Sequence, residues 1–133
     1  MYNGKHSMNN LSISATAKTY PSWPYEKMKD AILGKSYSLS LSFVGAVRAQ
    51  RFNQTYRKKD YVPNVLSFPL DEHIGEIIIC PQVAKREAKN FDLSIDGYIA
   101  YLFIHGLVHL KGHDHGDTMD RLEQKFMRQF AVT

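Results

Sequence analysis

Apolar and polar residues alternate through Leu11, Ile13, Ala15 and Ala17, with serine and threonine in the gaps, and again through Tyr37, Leu39, Leu41 and Phe43, with three serines between them. A period of two is that of a half-buried strand, so both stretches are predicted strands. Between them the period lengthens. Ser22 offers a cap, Pro24 suits a first turn, Met28 and Ile32 share a face and Gly34 follows, which predicts a helix over about 23–33. A helix over about 45–56 comes next, its basic residues toward solvent. Two short strands follow: 65–68 between Pro63 and Pro69, and 77–79, whose unbroken Ile-Ile-Ile predicts burial on both faces inside the sheet. Pro81 opens a helix to about 90. Ser94 caps a long one in which Ile95, Ile99, Leu102, Phe103 and Leu110 leave few exposed positions, so it belongs at the centre. Asp117 starts a last helix whose Met119, Leu122, Phe126 and Phe130 form one apolar stripe. Residues 1–10 read as a disordered polar start. The expected fold is α+β: a single domain over 11–133 with a four-stranded mixed sheet packed with about five helices.

The chemistry is concentrated in the second half of the long helix. Of six histidines, four lie in the run His105-Gly-Leu-Val-His109-Leu-Lys-Gly112-His113-Asp114-His115. His105 and His109 are four apart, so a helix stacks them one turn apart on one face, as two ligands of one metal require. Gly112 can end the helix in a left-handed conformation and return His115 to the same point. Three imidazoles with a fourth position open is the arrangement of catalytic zinc, since structural zinc is closed by four protein ligands. One zinc ion is therefore expected, although three imidazoles also accept nickel or copper. Such an ion brings the pKa of a bound water to roughly 7, which makes hydrolysis the implied reaction. Asp114 can take the second ring proton of a ligand, or serve only as a turn residue beside Gly112 and Gly116.

The same spacing fits the zinc peptidase frame HExxHxxGxxH, but Gly106 stands where that frame has its general-base glutamate. A glycine takes no proton.

The run HGLVHLKGHDH resembles the HGxLHLxGYDH signature of the YbeY family of metal-dependent endoribonucleases. Upstream, the stretch from Asn53 through Tyr56, Arg57, Lys59, Asp60 and Asn64 to Pro69 is similar to that family's NxxYRxKDxPTNVLSFP, and Gly75-Glu76-Ile-Ile-Ile-Cys80 to its LGDIVIC strand. With Glu87 and Ala88, the likeness spans about 40–125. Some positions depart from it; among them, His113 stands where the family usually has tyrosine and Glu76 where it usually has aspartate. The resemblance implies a zinc-dependent, single-strand-specific endoribonuclease of ribosomal RNA maturation, acting at the 16S rRNA 3′ end, and of ribosome quality control. It implies His105, His109 and His115 as metal ligands, with His109 and Arg57 catalytic. His113 is expected to face solvent or substrate rather than metal.

Charge then gains meaning. A net +4 suits a polyanionic partner, and Arg48, Arg51, Arg57, Lys58 and Lys59 fall within twelve positions. Arg48, Arg51, Lys58 and Lys59 are candidate contacts to single-stranded RNA; a solvated helix face is the plainer reading. Arg57 is singled out because a guanidinium grips phosphate with two parallel hydrogen bonds. The one cysteine, Cys80, ends an apolar strand and is expected buried and inert. No apolar span of about 20 residues and no secretory start is present, so a cytoplasmic protein without a membrane partner is expected. The small ribosomal subunit is the implied partner. Two other functions stay open: a ribosome-assembly factor whose metal is mainly structural, and a zinc peptidase.

Overall fold

The computed structural model describes residues 4–8, 10–16 and 19–133. In chain order the elements are β1 (Gly4–Met8), β2 (Leu11–Ala15), α1 (Tyr25–Leu33), β3 (Ser38–Phe43), α2 (Ala46–Arg57), β4 (Val65–Asp71), β5 (Ile74–Ile79), α3 (Pro81–Glu87), α4 (Ile95–Leu110) and α5 (Asp117–Gln129), with a 3₁₀ turn over Ala88–Phe91. The fold is the expected α+β with a mixed sheet and five α-helices. Strand order is β1-β2-β3-β5-β4; β2, β3 and β5 run parallel, and β1 and β4 pair antiparallel at the two edges.

The triple isoleucine behaves as its pattern predicts. β5 lies between β3 and β4, and Ile77, Ile78 and Ile79 are all buried. Ile77 and Ile79 join the larger core with Leu39, Leu41, Phe43 and the apolar residues of α1, α4 and α5. Ile78 turns the other way, into a smaller core with Leu66, Val44, Ala49 and Val83. Cys80 is buried in that second core. The sheet thus has a thick helical layer on one face and a thinner one on the other. α4 is in the thick layer, packed on β4, β5, α1, α3 and α5. Its start is capped as expected, Ser94 Oγ accepting from Gly97 N–H at 2.9 Å.

Four details differ from the sequence expectation. A fifth strand, β1, comes from the stretch read as a disordered start; residues 1–3 and 9 of that stretch lie outside the described residues, as does Ala17 of the first predicted strand. Edge pairing is made by backbone groups, and Asn10, at φ +70, supplies the left-handed turn that returns the chain antiparallel. Ser22 does not cap α1, which begins at Tyr25 after Pro24 with no side-chain cap. β4 runs on through Pro69 to Asp71, because an edge strand tolerates proline and a register shift between Pro69 and Asp71 absorbs it. The helix opened by Pro81 tightens to 3₁₀ at Ala88. No single helix among the described residues is long and apolar enough to cross a membrane.

Candidate active site

α4 is buried along most of its length and packs against β4 and α5 among its neighbours. His105 and His109 lie on it one turn apart, with ring centroids 4.6 Å apart and planes at 88°. The helix ends at Leu110, and Gly112, at φ +109, turns the chain back while its N–H bonds the His109 carbonyl at 2.9 Å. His115 then arrives from the turn, its ring 5.3 Å from that of His105 and 5.0 Å from that of His109. One nitrogen from each of the three rings lies within 4.8 Å of the other two.

The two helical imidazoles are held by their far nitrogens. His105 Nδ1–H donates to Glu123 Oε2 at 2.5 Å, and that carboxylate is only 4% exposed. His109 Nδ1–H donates to the His113 carbonyl at 3.0 Å. Both bonds fix the tautomer that leaves Nε2 bare, the form that coordinates a cation. Burial is the main influence on His109 and, helped by the other two imidazoles and opposed by the His113 carbonyl, holds it below the usual imidazole range, so it is neutral. Three converging imidazole nitrogens, two of them on rings held from behind, fit a borderline-soft divalent ion. His105, His109 and His115 are the residues that would hold it.

These rings line one side of a cleft of about 580 Å³ whose other side includes Arg57, Tyr61, Asn64 and Ser67. Arg57 ends α2, and its Nη1 donates to Asn53 Oδ1 at 3.2 Å and to Tyr61 Oη at 3.0 Å. Asn53 is itself fully buried and donates to the Tyr61 carbonyl at 2.9 Å. With Nη1 occupied, the guanidinium keeps Nε–H and Nη2–H₂, the side-on pair that matches two oxygens of a phosphate.

The position after the first histidine is filled by packing. A Cβ at Gly106 would stand 2.8 Å from Ser67 Oγ and 3.0 Å from Ile77 Cδ1. A glutamate there would collide with the sheet, so the general base of a zinc peptidase has no room in this fold as well as no residue.

The other sequence candidates are dispersed. Asp114 is exposed in the turn, near enough to act on His109 by charge, while the hydrogen bonds to the helical ligands come from Glu123 and the His113 backbone. The ring of His113 is outside the converging group. Lys58 and Lys59 are exposed past the end of α2, and Arg48 and Arg51 line a different cleft. Glu123 was not anticipated. Its signal is an acid inside the apolar stripe of α5, one turn from Met119 and beside Phe126, where a charge survives only with a partner. Tyr101 lies tilted beside His105; burial first, and the Glu123 carboxylate next, push its pKa up to about 12.

Comparison with known proteins is consistent over nearly the whole chain. A family model described as Endoribonuclease YbeY matches residues 3–131. An Endoribonuclease YbeY of Finegoldia magna is 44% identical over 104 residues, 73% of this chain and 68% of that protein. Another, from Stenotrophomonas maltophilia, is 31% identical over 132 residues, 87% of this chain and 81% of its own length. Among solved structures, the solution structure of a Thermotoga maritima protein matches with a TM-score of 0.59 at 26% identity, over 80% of this chain and 78% of that one. By motif, by family model and by identity to its relatives, the chain belongs to the Endoribonuclease YbeY family.

Proposed function

We propose that this protein is a zinc-dependent endoribonuclease that cuts single-stranded RNA in ribosomal RNA processing, at the 16S rRNA 3′ end, and in ribosome quality control. The observation that carries the reading is one cleft holding three converging imidazoles and an arginine fixed through its Nη1. A zinc ion on His105, His109 and His115 would supply Lewis acidity toward a water or a phosphoryl oxygen. The chain's own contribution is positional and electrostatic. Arg57 grips the scissile phosphate through Nε–H and Nη2–H₂ and offsets charge as it grows on the phosphoryl oxygens, which serves attack by water or by the neighbouring ribose hydroxyl alike. Glu123 and the His113 carbonyl keep the ligand rings oriented without reorganisation during the reaction. Membership of the Endoribonuclease YbeY family supports an RNA substrate. The ribosomal substrate and the small subunit as partner are read from the resemblance of the signature residues.

The test is cleavage of a 3′-extended small-subunit ribosomal RNA fragment by zinc-loaded protein, beside His109→Ala purified identically and checked for folding. Cleavage by the wild type, lost together with zinc in a folded His109→Ala, is the expected result. Equal cleavage by both, or by neither, overturns the intrinsic nuclease. An unfolded His109→Ala would assign the ion a structural role, as in an assembly factor.

A further inference from the structure

Beside the metal cleft, and sharing Asn64, Val65 and His105 with it, lies a smaller pocket of about 140 Å³. Its wall is a series of aromatic rings leading away from the imidazoles. Tyr101 is 5.9 Å from His105, Tyr98 is 5.8 Å from Tyr101 at 23°, and Phe91 is 4.9 Å from Tyr98 and 6.0 Å from Tyr101, both at 29°. Tyr98 is buried and Tyr101 is half-buried, but the outermost ring, Phe91, is 51% exposed. Its place is set by backbone: it ends the 3₁₀ turn, and Asp92 follows at φ +57, a left-handed conformation that turns the chain into α4.

The polar side chains of this pocket are engaged elsewhere. Asn64 donates from Nδ2 to Glu87 and accepts at Oδ1 from Val65 N–H; Tyr98 Oη donates to Glu87 at 2.8 Å; Tyr101 lies against Glu123, which also holds His105. What remains free is apolar surface and the faces of the rings. Such a surface takes a planar apolar face and does not read a hydrogen-bonding edge.

We propose that this pocket receives the nucleobase next to the scissile phosphate, stacked on Phe91 and Tyr101. The proposal rests on the ribonuclease reading and adds a substrate-binding subsite to it. The shared wall of Asn64, Val65 and His105 identifies the occupant: a base on Tyr101 is joined through its own ribose to a phosphate between the three imidazoles and Arg57. Two properties follow. A base stacked in a duplex cannot enter, so the pocket selects RNA whose bases can be splayed out. Every base presents a π face, so the subsite tolerates all four.

The experiment pairs a change in the protein with a change in the RNA. In a short single-stranded oligoribonucleotide, each base in turn is replaced by an abasic ribose, and kcat/KM is measured for wild type, Phe91→Ala and Phe91→Tyr. One abasic position flanking the cut is expected to lower wild-type kcat/KM about tenfold, to have little effect on Phe91→Ala, and to act as in wild type on Phe91→Tyr. A loss of equal size in wild type and Phe91→Ala would overturn the subsite while leaving the nuclease intact. Binding is followed separately, by quenching of 2-aminopurine placed at that position in a 2′-deoxy oligonucleotide that is not cut. Quenching that depends on Phe91 without RNA cleavage would keep the subsite and remove the nuclease. Quenching independent of Phe91 would remove the subsite.

Discussion

Two clefts of nearly equal volume open on this molecule, both edged by residues of α2. One, of about 580 Å³, contains Arg57 and the three histidines; the other, of about 650 Å³, contains Arg48 and Arg51 near the start of the helix. They differ in what stands behind their polar groups. Among the described residues the buried polar side chains are Lys29, Asn53 and Glu123. Lys29 holds the carbonyls of Gly34 and Lys35 beyond the end of α1, and the other two serve the first cleft, Asn53 by holding Arg57 and Glu123 by holding His105. In the second cleft Arg48 leans over Phe52 at 5.8 Å and Val47 is 72% exposed. Basic charge occurs in both clefts. Anchored direction, which separates a reacting site from an attractive surface, is found in the first.

The contrast can be broken at several points. Arg57→Ala removes the anchored charge, so turnover should fall by roughly 10²–10³ while the protein still binds one zinc, as measured by kinetics and metal analysis on the same sample. Full activity would show that Arg57 is no more than its neighbours in the other cleft. Glu123→Gln keeps the size of the side chain but weakens the hold on His105; zinc affinity should drop about ten- to hundredfold in a chelator competition, and an unchanged affinity would deny Glu123 its role. Gly106→Ala presses α4 against Ser67 and Ile77 and should cost about 1–3 kcal/mol, seen as a lower Tm. A melt identical to wild type would mean that the helix has slack at the ligand position. The smallest effect belongs to the second cleft. Arg51→Ala should raise KM less than about fivefold, leave kcat alone and make the salt slope of RNA binding shallower by about one; a fall in kcat would bring that cleft into the reaction.

How much of this was legible in the sequence depends on how far each interaction reaches along the chain. α4 and its two histidines follow from a period of 3.6 and a spacing of four, both local, and Gly112 marks the turn because its φ of +109 favours glycine. The apolar stripe of α5 was equally plain. The partner of His105 was not, because Glu123 lies eighteen residues downstream on a different helix. It appears in the sequence only as an acid out of place among Leu122 and Phe126. Asn53 and Tyr61 bracket Arg57 at four residues on either side, yet only Asn53 shares a helix with it; Tyr61 returns by way of Lys58, left-handed at φ +58. β1 was missed because strand pairing at an edge is a property of the backbone, which side-chain periodicity does not record.

The turn that carries His115 gives the site a division in time. Its neighbours Gly112 and Gly116 both lie at positive φ, and the residues between them are mostly exposed, whereas His105 and His109 belong to a helix buried in the main core. Amide hydrogens of α4 should exchange with solvent only through global unfolding, and those of 112–116 through brief local opening. With that exchange pattern, two thirds of the donor set would be fixed when the chain folds and the last third would open and close within the native state, so the lifetime of a captured ion would be set by the motion of five residues.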